Sequence, residues 1–275
     1  MTKGRVLIVA GSDSGGGAGI QADIKTVTAL GGFAMTAITA LTAQNTLGVH
    51  GLLPIPPDFI RRQIEVVMDD LGADCIKIGM LGDVATIAAV ADALRDLAPG
   101  VPVVLDPVMV AKGGHALLAE SAVEALTQRL LPMASVVTPN LPEAAALTGL
   151  PMKSVEDMES AAAALRHLGA QAVLLKGGHL ESDTVTDVLA TATSVERFSA
   201  DRIATRHTHG TGCTTASAIA AGLAQGQDLR RSVLRARAYV RAAIAAAPGF
   251  GAGHGPLGHG VTVDVDRADL GGFVS

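Results

Sequence analysis

Short apolar runs that stop abruptly at glycine or at one polar residue, each followed by a segment of helical period, narrow the fold of this chain more than any other feature. Val6–Ala10 stops at Gly11, Cys75–Ile78 at Gly79 and Val103–Leu105 at Asp106. Ser135–Thr138 runs into Pro139-Asn140, and Val173–Leu175 into Lys176-Gly177-Gly178. Runs apolar on both faces are the mark of central strands in a parallel sheet. Between them the period lengthens to that of helices: 20–30, 84–97, 120–131, 155–168, and a closing pair from Thr214 and from Leu229 to Ala246. Strands alternating with helices in this way predict an α/β fold, with a mainly parallel sheet covered on both faces. The 32 glycines gather at the ends of the apolar runs, where tight strand-to-helix turns need them. No repeat or linker divides the chain, so one domain is expected over 1–275, with its core at about 4–260.

The remaining elements are predicted more locally. Phe33–Leu41 and Val49–Leu53 read as strands joined by a polar loop, Thr42–Thr46. Asp58 is expected to cap a helix to Leu71, and Pro139-Asn-Leu-Pro-Glu143 to open one that ends at Gly149. Two more strands are expected at 186–189 and 195–198, a further one at 261–263, and a turn at Lys112-Gly-Gly114.

Composition removes several function classes. A net charge of −5 leaves no basic footprint for nucleic acid or an anionic membrane. Two cysteines make neither a disulfide framework nor a metal cluster. The first apolar run has seven residues or fewer and ends in glycine, which predicts a soluble, cytoplasmic protein rather than a signal or membrane segment.

Ligands of open α/β sheets bind outside the carboxyl ends of the strands. Gly11, Gln44, Met80, Asp106, Asn140, Lys176 and Gly210 all fall at such ends, so they mark one candidate site. In Arg206-His-Thr-His-Gly-Thr-Gly-Cys213, two glycines precede a long helical run. The first turn of a helix leaves N–H groups unpaired and carries the positive end of the macrodipole. Gly210, Thr211 and Gly212 therefore read as an anion cradle, and Cys213 as a thiol whose proton is loosened by the helix end. Lys176, at the end of an apolar strand, must reach an anion. Asp106 with Asn140 and Glu143 offers oxygen ligands for a hard cation such as magnesium, or else Asn140 and Glu143 simply cap a helix. Together these residues point to phosphoryl transfer, which needs positioning and charge stabilisation. Gly17-Ala-Gly-Ile-Gln-Ala22 matches the loose dinucleotide fingerprint. Yet Ala37-Ile-Thr-Ala-Leu41 lacks the ribose-binding acid that should follow, and no GxxxxGK[ST] occurs. His207, His209, His254 and His259 lack the spacing of a metal site and read as loop and nucleotide-side residues.

Gly16-Gly-Ala-Gly-Ile-Gln-Ala-Asp23, Gln44-Asn-Thr46, Lys77-Ile-Gly-Met80, Asp106-Pro-Val-Met109, Thr138-Pro-Asn-Leu-Pro-Glu143, Lys176-Gly-Gly-His179 and Thr208–Cys213 are motifs of one kind. In combination they resemble the hydroxymethylpyrimidine kinase/phosphomethylpyrimidine kinase family of thiamine biosynthesis, over nearly the whole chain. The resemblance implies a ribokinase-like three-layer α/β/α sandwich, a homodimer, and use of ATP and Mg2+. It implies two phosphorylations, of a pyrimidine alcohol and then of its monophosphate. By similarity, Asp23 and Gln44 bond the pyrimidine, while Gly11, Met80 and Val108 line its pocket. Asp106, Asn140 and Glu143 hold magnesium, and Lys176, Thr211 and His209 contact ATP. The 210–213 turn receives the developing charge, and Cys213 accepts the hydroxyl proton. Arg237 stands where family members often carry a nucleotide-side lysine. A pyridoxal/pyridoxine kinase of the same branch is the nearest alternative, ahead of a catalytically silent pyrimidine-binding protein.

Overall fold

A computed structural model describes residues 4–109, 117 and 120–263. Ten strands and eight α-helices are found among them. The strands are β1 (Arg5–Ala10), β2 (Phe33–Ile38), β3 (Ala40–Asn45), β4 (Gly48–Pro54), β5 (Cys75–Ile78), β6 (Val103–Leu105), β7 (Val136–Val137), β8 (Val173–Leu175), β9 (Thr184–Ala190) and β10 (Val195–Asp201). The helices are α1 (Gly19–Ala29), α2 (Pro57–Asp70), α3 (Val84–Leu97), α4 (Glu120–Arg129), α5 (Leu141–Thr148), α6 (Val155–His167), α7 (Thr211–Ala224) and α8 (Leu229–Ala245).

Eight strands form one sheet in the order β10-β9-β8-β7-β6-β5-β1-β2, parallel from β2 to β8 and antiparallel at β9 and β10. Alternate residues of a strand face opposite ways, and two cores result. Val6, Ile8 and Ala10 join Ile20 of α1, Ile219 of α7 and Val233 of α8. Leu7 and Val9 join Ile60 of α2, Ile87 of α3, Leu126 of α4, Leu147 of α5 and Leu165 of α6. This is the ribokinase-like three-layer α/β/α sandwich. Five of the ten buried residues of α7 are alanine and all but Ile219 are small, and a side chain at Gly222 would lie 2.5 Å from Ser232 Oγ of α8. Small residues thus let α7 lie close against its neighbours and point its first turn at the carboxyl edge. After β2 the chain returns to the other side of β1, so the order reverses beside β1, where a crevice is expected.

Several local expectations change. Residues Thr42–Asn45 are strand rather than loop, paired in a separate β3–β4 hairpin with a bulge at Ala43/Gln44. A two-stranded ribbon standing off the core needs no apolar run to announce it, and its Leu47, Leu52 and Leu53 are exposed. Pro56, not Asp58, precedes the first residue of α2, with Asp58 inside the first turn. Helix α7 begins at Thr211, three residues early, because Gly210 takes the left-handed turn (φ 82°) that starts it. Residues 261 and 262 are turn rather than strand. The expected turn at 112–114 and the end of the tail from 264 lie outside the described residues. Among the described residues, no helix is long and apolar enough to cross a membrane.

Candidate active site

The strand ends meet in one cavity of about 1040 Å³ along the carboxyl edge of the sheet, from β1 to the far side of β8. Gly11, Gln44, Met80 and Val108 line it near β1 and β5, and Asp106, Asn140, Glu143 and Lys176 at its middle. His209, Gly210, Thr211, Gly212 and Cys213 close it from α7, and Gly178, Val185 and Ile203 from the antiparallel end. A side chain at Gly11 would stand 2.1 Å from Met80 Cε, so glycine there admits the thioether. At Gly210, one would stand 1.8 Å from Gly17 O, which ties the start of α7 to the glycine loop after β1.

That glycine loop is not open to a pyrophosphate. Buried Asp13 accepts the N–H groups of Gly15 (2.8 Å), Gly17 (3.1 Å) and Ala18 (2.8 Å), so the loop's donors are spent on the protein's own carboxylate. His209 Nε2 lies 2.8 Å from the same carboxylate and 3.4 Å from Gln44 Nε2. Burial opposes charge on Asp13, but His209 and the loop N–H groups outweigh it and hold the carboxyl below its usual range. His209 is therefore anchored beside Gln44 and the glycine loop. His259 is also placed otherwise: it is buried, 2.9 Å from Thr214 Oγ1, and burial pushes its imidazole down to about 4.

Asp23 does not line the cavity. It is fully buried, with Oδ2 2.8 Å from Lys77 Nζ and Oδ1 accepting from Ser217 Oγ at 2.6 Å. The direct pyrimidine contact expected for it is replaced by a buried ion pair, because Lys77 lies between Asp23 and the cavity it lines. Burial disfavours charge on Lys77, yet Asp23 above all, with Asp106, keeps it an ammonium. Cys213 also departs from expectation. Burial, helped by Asp23 and Asp106 and opposed by Lys77, pushes its thiol up to about 12. The helix end does not yield a resting thiolate.

Lys176 Nζ lies 2.9 Å from Asp106 Oδ1, to which Thr138 Oγ1 also donates at 3.2 Å. A side chain at Gly212 would stand 3.0 Å from Lys176 Nζ and 3.6 Å from Asp106 Oδ2, so glycine keeps this spot free for a ligand. Asn140 and Glu143 form a reciprocal cap: Glu143 N donates to Asn140 Oδ1 (2.9 Å), and Asn140 N to Glu143 Oε2 (2.8 Å). The Asn140 oxygen is thus committed to capping α5, and Glu143 shares in that cap through one carboxylate oxygen while lining the cavity with Asp106. Burial, with Asp106 adding to it and Lys176 opposing, pushes the Glu143 carboxyl up to about 7. The folded protein then binds this proton more tightly than the unfolded chain, so metal-free stability is expected to fall as pH rises from the ordinary carboxylate range through about 7. Thermal melts at several pH values should show that slope, and Glu143→Gln should flatten it.

Arg237 lies outside the cavity, paired with Asp187 and stacked 5.7 Å from the Phe198 ring centroid. The direct nucleotide contact expected for it is not supported by a place on the cavity wall, and its partner Asp187 accepts from Gly177 N at 2.9 Å, next to Lys176. Lys77, Asp13 and Arg202 are site residues that the sequence reading did not single out. Lys77 carried a usable signal, a lysine inside an apolar strand, by the argument already made for Lys176; Arg202 carried none.

The family model for phosphomethylpyrimidine kinase matches residues 13–258. The hydroxymethylpyrimidine/phosphomethylpyrimidine kinase of Streptomyces coelicolor is 49% identical over 255 residues, 93% of this chain and 94% of that protein. The thiamine biosynthesis bifunctional protein ThiED of Geobacter sulfurreducens is 52% identical over 257 residues, 94% of this chain; the chain spans about half of that longer protein, 52% of its length. The ADP complex of Bacillus subtilis pyridoxal kinase superposes with a TM-score of 0.88 at 38% identity, covering 94% of this chain and 98% of that one.

Proposed function

Because the chain belongs to the phosphomethylpyrimidine kinase family, we propose that it uses ATP to phosphorylate 4-amino-5-hydroxymethyl-2-methylpyrimidine and then its monophosphate, giving the diphosphate for thiamine biosynthesis. The observation that carries this reading is the meeting of Lys176, Asp106 and the Gly210–Cys213 turn in one cavity with room on both sides. The pyrimidine sits toward β1, its ring edge against the Gln44 amide and its faces against Met80 and Val108. ATP enters from the β9–β10 side. Lys176 neutralises the transferred phosphoryl oxygens, and the first N–H groups of α7, which no side chain caps, take up charge as it develops.

Asp106 and Glu143 fit magnesium. Two acids lie about one lysine, and their donors are all oxygen. Magnesium bound there with ATP supplies charge neutralisation. The exposed leucines of the β3–β4 hairpin support a homodimer, and a cytoplasmic site of action completes the reading.

A thiol held up to about 12 cannot begin the reaction as a base. The proton of the acceptor alcohol leaves late in a loose transition state: as the O–P bond forms, the Cys213 sulfur takes it and gives its own thiol proton to an oxygen of the transferred phosphoryl group. The second acceptor is already an ionised phosphate and needs no such help. Cys213→Ala is therefore expected to slow phosphorylation of the alcohol by about a hundredfold and of the monophosphate far less. Single-turnover rates with each acceptor check this, and equal losses would remove Cys213 from proton transfer.

A coupled ATP-consumption assay with hydroxymethylpyrimidine, its monophosphate and pyridoxal tests the whole reading. Turnover of both pyrimidines, with diphosphate formed, is expected. Turnover of pyridoxal alone would favour the vitamin kinase that the Bacillus subtilis superposition keeps in view, and no ATP consumption would leave a silent binding protein.

A further inference from the structure

Lys176 directly follows β8, and the segment from Gly177 to Asp183 carries the chain from it to β9. This segment has little ladder of its own, and backbone carbonyls left without partners are costly. Three of them are satisfied by one side chain. Arg202, the first residue after β10, donates from Nη1 to Gly178 O (3.0 Å), from Nη2 to Leu180 O (2.5 Å) and from Nε to Ser182 O (2.7 Å). Its own N–H donates to Asp183 O at 2.7 Å. Alternate carbonyls of the segment thus turn inward around a single guanidinium. Among the described residues Arg202 forms no ion pair with a carboxylate, so its donors go to these carbonyls, and both Arg202 and Gly178 line the cavity.

We propose that Arg202 is a positioning residue for the nucleotide: it folds the 178–182 segment into one wall of the ATP end of the cavity. The proposal rests on the kinase reading above. A planar fork with donors on three nitrogens spans three carbonyls that an ammonium, a point charge, cannot reach together. The fork's role is therefore geometric, and charge alone does not substitute for it.

The test compares Arg202→Lys and Arg202→Ala with the unaltered chain. In both, KM for ATP is expected to rise by about tenfold or more, the loss of at least one charge-assisted hydrogen bond. The drop in kcat at saturating ATP is expected to be smaller, and KM for the pyrimidine should not move. Calorimetric ADP affinity should weaken in parallel. Restoration of KM by lysine would make the role electrostatic and overturn the proposal, as would unchanged ADP affinity in both variants. Hydrogen exchange on the unaltered protein gives a reading free of any folding defect: amides of 178–183 should gain protection on adding ADP, and no gain overturns the proposal. Should the unaltered protein bind ADP yet turn over no acceptor, the kinase reading fails while the wall is still tested by affinity and exchange.

Discussion

Replacing Lys176 with methionine is expected to lower kcat by about a thousandfold, the upper range for losing one preorganised charge at a reacting centre. Methionine keeps the length and the apolar stem, so the change removes the ammonium and little else. Two consequences follow from the geometry. Asp106, 2.9 Å from Lys176 Nζ and almost fully buried, keeps only the Thr138 hydroxyl as a side-chain partner. Glu143 loses the main influence that opposes burial, so its carboxyl moves further up from about 7. The fall of metal-free stability with rising pH should therefore move to higher pH. Steady-state rates at saturating ATP, magnesium and acceptor check the loss of activity, and metal-free thermal melts across pH check the second part. A kcat within tenfold of the original would show that the phosphoryl charge is met elsewhere.

The second large effect is on stability. Lys77→Met strands the Asp23 carboxylate in a fully buried position, with the Ser217 hydroxyl as its other partner. Breaking one side of a buried ion pair costs about 3–5 kcal/mol, so urea denaturation should move well below its original midpoint. Adding Asp23→Asn removes the stranded charge but keeps an acceptor for Ser217, and the double variant should recover most of the loss. The pair also decides between two roles for Asp23. A residue that touched the pyrimidine would, on Asp23→Asn alone, raise KM for the acceptor and leave stability unchanged. A buried partner of Lys77 loses stability, which is the expected result. A Lys77→Met variant weakened by less than about 1 kcal/mol would place the ion pair among those that contribute little.

Much of this molecule was legible from residue order because the signals were local. A strand buried on both faces is nearly all apolar, so β1, β5, β6 and β8 announced themselves, with the buried Lys77 of β5 as the exception that needs a partner. A chain leaving such a strand must turn, so glycines and lone polar residues marked the carboxyl edge, and Gly11, Met80, Asp106, Lys176 and Gly210–Cys213 do line one cavity. The hairpin was harder to see, since its strands face solvent and their polar residues read as loop.

What the order of residues determined, then, was the sheet, its helices and the edge where chemistry gathers, because periodicity and strand ends are properties of neighbours along the chain. Partnership was decided only by the fold. Lys77 meets Asp23 across 54 positions, Asp13 meets His209 across 196, and Arg202 reaches Gly178 across 24. Whether an acid faces a ligand or a buried lysine, and whether a thiol keeps its proton, depends on charge and burial brought from remote segments. Those fields exist only once the chain has closed on itself.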